Sequence, residues 1–211
     1  MKSLSHYKLF TIIILFIFSC QNEPITCDVL IYNGTVYDGT GEPPYLGSVG
    51  ITDDKITYVG KNTRFEADTI IDATNLSISP GFINMLSWGY SSLMEDGRSL
   101  SDLKQGVTLE VFGEGVSPGP YMRDGERHSF KDAMEALENS GVSTNIASFL
   151  GATTARMMEV GFENRSATDK EMQKMREMVK QSMEEGAMGL GSSLIYAPAD
   201  YAPTEELIEL C

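Results

Sequence analysis

The chain has 211 residues, 42% of them hydrophobic and 22% charged, a balance that suits a globular protein with a sizeable core and excludes disordered and fibrous classes. With 30 Asp plus Glu against 16 Lys plus Arg, the formal net charge is -14, so the surface repels nucleic acid and anionic lipid headgroups. The acidity reads as a solvated surface and predicts no nucleic-acid partner.

At the N-terminus Lys2 and Lys8 precede an apolar run over 9–18 that is short for a permanent membrane span and suits a signal-peptide core. The run ends in Ile17-Phe18-Ser19-Cys20, which resembles a bacterial lipobox. Residues 1–19 are therefore expected to be a lipoprotein-type signal peptide, Cys20 the lipidated residue and 20–27 the tether. The protein would be exported and held at the periplasmic side or cell surface, touching the membrane only through its lipid. A plain anchoring helix or a secretion signal cut elsewhere are the alternatives, because Ile17 and Phe18 are bulky for that pattern. Cys27 and Cys211 form no CxxC or Cys/His spacing, which excludes a zinc finger or a disulfide framework.

Residues 28–79 read as a small β-sandwich segment. Asn33-Gly34 predicts a hairpin, and strands are predicted over 48–51, 55–59, 69–72 and 76–78, with Asp53-Asp54 at a turn. From Pro80-Gly81 the pattern changes to helices alternating with short strands, the α/β signature, over 80–211. Strands are predicted over 81–86, 107–112, 143–150 and 187–194. A helix is predicted over 129–139, with Phe130, Met134 and Leu137 inward and Gly141 closing it. The clearest helix opens on Thr168-Asp-Lys-Glu171, a capping box, and carries Met172, Met175, Met178, Val179 and Met183 at helical spacing before Gly186. A methionine stripe suits a promiscuous groove, but a helix face packed on a sheet explains it better.

The runs DVLIYNGTVYDGTGEPP, ITDDKITYVG and IIDATNLSISPGFIN resemble the opening of amidohydrolase superfamily proteins. The run REMVKQSMEEGAMGLGSSLIYAPADYAPTEELIEL is similar to the fourth barrel unit of the D-aminoacylase, or N-acyl-D-amino-acid deacylase, branch. The resemblance implies an α/β fold: a small composite β-sandwich followed by the first half of a TIM-type (β/α)8 barrel, cut after about strand four. It implies hydrolysis of non-peptide C–N amide bonds in a small N-acylated amino acid. One or two divalent metals, usually zinc, would polarise the carbonyl and bring a bound water to a pKa of about 7. A carboxylate would pass the proton to the leaving amine.

This sequence departs from that pattern. The resemblance places a His-x-His pair where Leu86 and Trp88 stand, and a His where Ala152 stands. Neither Leu86 nor Trp88 can donate a lone pair to zinc, so a two-metal site is not expected. In Gly113-Glu114-Gly115, Glu114 replaces the branch's Cys and is the candidate ligand of one zinc, with an exposed turn glutamate as the alternative. Ser192, Ser193 and Tyr196 match the strand-four end, and Arg156 a further family position, all four as substrate-pocket candidates; Ser193 and Tyr196 also fit a turn and a packed aromatic. His6 lies in the signal segment, and His128 reads as an exposed residue at a helix start.

About half a barrel is present, so the expectation is a fragment of a longer parent. The parent's catalytic aspartate and two metal-binding histidines would lie beyond Cys211, and the isolated fragment would be inactive and metal-free. Competing readings are a non-catalytic lipoprotein that keeps the fold as a binding module, and a related cyclic-amide hydrolase or isoaspartyl peptidase. Substrate identity and oligomeric state are not legible.

Overall fold

The computed structural model describes residues 24–61 and 64–211; His6, Cys20 and the expected signal peptide lie outside them. The chain divides between Pro80 and Gly81 into two units.

The first unit is a five-stranded sheet of β1 (Ile25–Val36), β2 (Tyr45–Thr52), β3 (Lys55–Gly60), β4 (Phe65–Asp72) and β5 (Ser77–Ile78). Strand order is β3-β2-β1-β4, with β5 also on β1. The pairs β1–β2 and β2–β3 are antiparallel, whereas β4 and β5 run parallel to β1. Cys27, Leu30, Val36, Val49 and Ala73 are buried on it. Because β1 starts at Ile25 and Cys27 pairs with Ala67, the residues 25–27 expected in the tether belong to the sheet.

The hairpin predicted at Asn33-Gly34 does not form. The β1 strand runs straight through it and absorbs one extra residue as a bulge between Ile31 and Gly34. Asn33 takes the left-handed conformation, at φ 66°, and its amide donates to Thr74 Oγ1 at 2.8 Å. The strand has partners along both edges, so the chain cannot fold back on itself there. A Cβ at position 34 would run into the Ile78 side chain, which explains the glycine without a turn. The hairpin that does form lies between β2 and β3, where Asp53, at φ 53°, donates its N–H to the Asp28 carboxylate at 2.7 Å.

The second unit alternates strands and helices. Its strands are β6 (Phe82–Asn84), β7 (Val107–Phe112), β8 (Tyr121–Arg123), β9 (Glu126–His128), β10 (Asn145–Ser148), β11 (Leu150–Gly151) and β12 (Leu190–Gly191). Its helices are α1 (Tyr90–Glu95), α2 (Leu100–Leu103), α3 (Phe130–Ser140), α4 (Ala152–Glu159), α5 (Asp169–Glu184) and α6 (Thr204–Leu210), with a 3-10 turn over Ala199–Tyr201. The order β10-β7-β6 is parallel throughout, and β11 pairs in parallel with β12. Successive parallel strands that lie side by side with helices between them make the first half of a (β/α)8 barrel. The predicted strand over 143–150 is broken at Phe149, whose N–H bonds to Phe112 while that of Leu150 bonds to Gly189.

The capping box at the start of α5 is present: the Thr168 hydroxyl accepts from the Glu171 N–H at 3.4 Å, and the Glu171 carboxylate accepts from the Thr168 N–H at 2.8 Å. Met172, Met175 and Met178 are buried against Phe130, Leu150, Ala155 and Leu210, so the stripe is core, although Met183 is exposed. A second capping box, Ser129 with Asp132, starts α3, and Gly141 at φ 78° ends it. The β8–β9 hairpin turns on Asp124-Gly125 and was not anticipated from sequence. His128 is half-buried and stacked on Tyr121, with ring centroids 4.8 Å apart, which corrects its reading as an exposed residue. Among the described residues no helix is long and apolar enough to cross a membrane.

Candidate functional site

Barrel proteins keep chemistry at the C-terminal ends of their strands. A cleft of about 560 Å³ sits there in the second unit. Leu86 and Trp88 reach it from the segment after β6, Glu114 from the turn after β7, Thr153 and Met157 from α4 after β11, and Ser193 and Tyr196 from the segment after β12.

The turn carrying Glu114 is held by backbone approach. Gly113 sits at φ 91°, a conformation that favours glycine. A Cβ on Gly191 would strike the Gly113 carbonyl, and one on Gly151 would strike that of Gly115. The Gly115 carbonyl accepts the Thr153 N–H at 3.0 Å, and the Ser117 N–H donates to Thr154 Oγ1 at 2.9 Å. Strand ends two, three and four are thereby clamped together, with Glu114 exposed at the mouth.

The expected pocket residues separate. Glu114, Ser193 and Tyr196 share the cleft. Ser192 is exposed beside it and is not among its lining residues. Arg156 does not reach it, because its guanidinium is buried beneath α4. There it pairs with Glu206 of α6 at 2.6 Å and donates to the carbonyls of Glu163 and Arg165. A charge with that burial is bound to its ion pair and to the loop between α4 and α5, not presented to a ligand. Thr153 and Met157 were missed by sequence reasoning; their signal was their place just after strand three. Ala152 is buried.

Donor chemistry decides what this stretch can hold. Among the described residues Glu114 is the only carboxylate lining the cleft, two of whose walls are the alkyl side chain of Leu86 and the indole of Trp88. Among the described residues no group of three or more His, Cys, Asp and Glu stands close enough to hold a metal ion. These residues therefore do not by themselves fit a metal centre. What they offer is an apolar and aromatic wall with a few converging hydroxyls and one carboxylate, the make-up of a small-molecule site.

Behind that wall lies a buried carboxylate. Glu110 of β7 accepts from the hydroxyls of Ser87 at 2.6 Å, Ser99 at 2.7 Å and Thr144 at 3.0 Å. On the outer rim nearby, hydrogen bonds from the Arg98 side chain and backbone hold the Asp96 carboxyl down at about 2.

The half-barrel with its cleft at the strand ends has the architecture of the amidohydrolase superfamily. No family profile matches the chain. A D-aminoacylase from Alcaligenes xylosoxydans xylosoxydans is 30% identical over 206 residues, which cover 90% of this chain and 43% of that protein. A D-aminoacylase structure, solved to examine a binuclear metal centre in which one metal activates and the second attenuates, superposes with a TM-score of 0.81 at 30% identity, over 88% of this chain and 42% of that one. The N-acyl-D-glutamate deacylase of Bordetella bronchiseptica, complexed with zinc and a phosphonate mimic of the tetrahedral intermediate, superposes with a TM-score of 0.77 at 25% identity over the same shares. The chain is thus similar, over about nine-tenths of its own length, to D-aminoacylase and N-acyl-D-amino-acid deacylases, and it spans less than half the length of these relatives.

Proposed function

We propose that the protein hydrolyses the amide bond of small N-acylated amino acids, of the D configuration as in its relatives. The observation that carries this reading is the likeness in both sequence and fold to D-aminoacylase across 88% of the chain, with the cleft at the strand ends. In it, Leu86, Trp88 and Met157 bind the apolar part of the substrate and exclude water. Thr153, Ser193 and Tyr196 orient its polar groups, with Ser192 at the rim. These residues bind and position; the catalytic acid-base group is not among them. One zinc is the proposed metal, with Glu114 the single donor from this stretch, because Leu86 and Trp88 remove the donors that a second ion needs.

The test is amine release by the full-length protein from a panel of N-acetyl-D- and N-acetyl-L-amino acids, hydantoins and β-linked dipeptides. Turnover confined to the D-amino acid derivatives is expected, and turnover of hydantoins or β-linked dipeptides alone reassigns the substrate class. Stoichiometric zinc that is lost in Glu114→Ala supports the single-metal site. The second reading, a binding module without catalysis, is favoured by Leu86 and Trp88; it predicts a metal-free, inactive protein that still binds the panel.

Export and anchoring through Cys20 are proposed on the basic residues and apolar run that precede it. Palmitate labelling of the expressed protein, lost in Cys20→Ser, is the expected result; unlabelled wild type overturns it.

A further inference from the structure

Glu110 is a titratable side chain 2% exposed that the proposed reaction does not use. It stands in β7 between Leu109 and Val111, and its hydrogen-bond partners among the described residues are hydroxyls, not a cation. Burying a carboxyl group is costly unless its oxygens are satisfied, and here three donors from three separate segments converge to do so. Two of these contacts bind scaffold. Ser99 caps α2 in the left-handed conformation, and Thr144 leads into β10.

The third contact leads to the cleft. Ser87 lies between Leu86 and Trp88, both of which line the cleft. Its hydroxyl donates to Glu110 and accepts the Gly89 N–H at 3.2 Å, while its own N–H donates to the Val111 carbonyl at 2.9 Å. The segment is also pinned upstream, where the Leu86 N–H donates to Asn84 Oδ1 at 3.2 Å. Gly89 comes so near that a Cβ there would stand 3.1 Å from the Glu110 carboxylate. The backbone on both sides of Trp88 is thus tied to a single carboxyl group.

The geometry points to Glu110 as a positioning residue that acts through Ser87 to hold Leu86 and Trp88 as the substrate-facing wall of the cleft. This rests on the cleft being the substrate site, but its test does not require turnover. Trp88 is the sole tryptophan of this sequence, so its fluorescence reports on the wall directly. Ser87→Ala and Thr144→Ala each delete one hydroxyl from Glu110, yet only the first contact touches the Trp88 segment.

The experiment is time-resolved anisotropy of Trp88 in wild type, Ser87→Ala, Thr144→Ala and Glu110→Gln. In Ser87→Ala and Glu110→Gln the amplitude of fast indole motion should rise about two-fold, with Thr144→Ala at the wild-type value. Where the N-acetyl-D-amino acid is turned over, Ser87→Ala should raise KM several-fold with kcat nearly unchanged, the pattern of lost ground-state binding. Equal loosening in all variants, or unchanged motion in Ser87→Ala, overturns the proposal. If Glu110→Gln does not fold, Ser87→Ala against Thr144→Ala still decides it. Failure to hydrolyse any amide overturns the proposed function and leaves the anisotropy comparison standing.

Discussion

Two buried acidic side chains in the second unit are satisfied by different means. Glu206 faces Arg156 as a closed ion pair, with the side chains 4% and 1% exposed, and Arg156 Nε has no hydrogen-bond partner among the described residues. Removing one member of such a pair leaves the other charge buried and unmatched, so Glu206→Gln should lower stability by roughly 3–5 kcal/mol. Denaturant unfolding measures this, and a loss below about 1 kcal/mol, the range of an exposed pair, would contradict the buried geometry. A matched apolar double replacement should recover much of the loss, because the pair itself contributes little beyond its own desolvation cost. The family resemblance put Arg156 at the pocket; its burial against Glu206 places it in the scaffold.

Among the elements, α5 is the one whose start is written most openly in local sequence, and its cap carries a pH dependence. The Arg165 side chain first, then the Thr168 backbone N–H and hydroxyl, hold the Glu171 carboxyl well below the ordinary value of 4.5. A group whose folded pKa is depressed contributes stability that is fully present above its unfolded pKa and is lost as pH falls through the folded value. The helix start should therefore weaken only below about pH 4.5. Acid titration by circular dichroism should show a shallower stability slope in Glu171→Gln than in wild type, and equal slopes would count against the cap. At this scale much was legible: β7 was predicted over its full length, and α3 and α5 to within a residue or so, since capping residues and a 3.6-residue period are local signals. The Asn33-Gly34 hairpin failed because a dipeptide that favours a turn also suits a bulge, and pairing along both edges of β1 chose the bulge. The role of Glu110 had a faint signal, an acidic residue inside an apolar strand, but its partners lie 11, 23 and 34 residues away.

For the whole molecule, the strands at either end of the second unit's strand sequence each have one paired edge among the described residues, β6 on β7 and β12 on β11. Ile83, Met85, Leu86, Trp88, Leu194 and Ile195 are exposed in that unit. Of these, Leu86, Trp88 and Ile195 share the cleft, and exposed apolar area gathered in this way attracts other apolar surfaces. The 211-residue chain by itself should enhance the fluorescence of anilinonaphthalene sulfonate in native buffer while its far-UV dichroism stays that of a folded protein. No enhancement would mean these faces are covered. The amino-acid order alone determined the two-part α/β architecture, the capped helices and the net acidic charge, because each rests on composition or on neighbours within a turn of chain. That a His-x-His pair would stand where Leu86 and Trp88 are is, by contrast, what the family resemblance implies. Only the tertiary structure decided which candidates meet at the cleft, that Arg156 is locked in an ion pair, and that Glu110 stands behind Trp88. Those outcomes depend on which distant strand ends are brought together, and long-range packing leaves no periodic trace in a sequence.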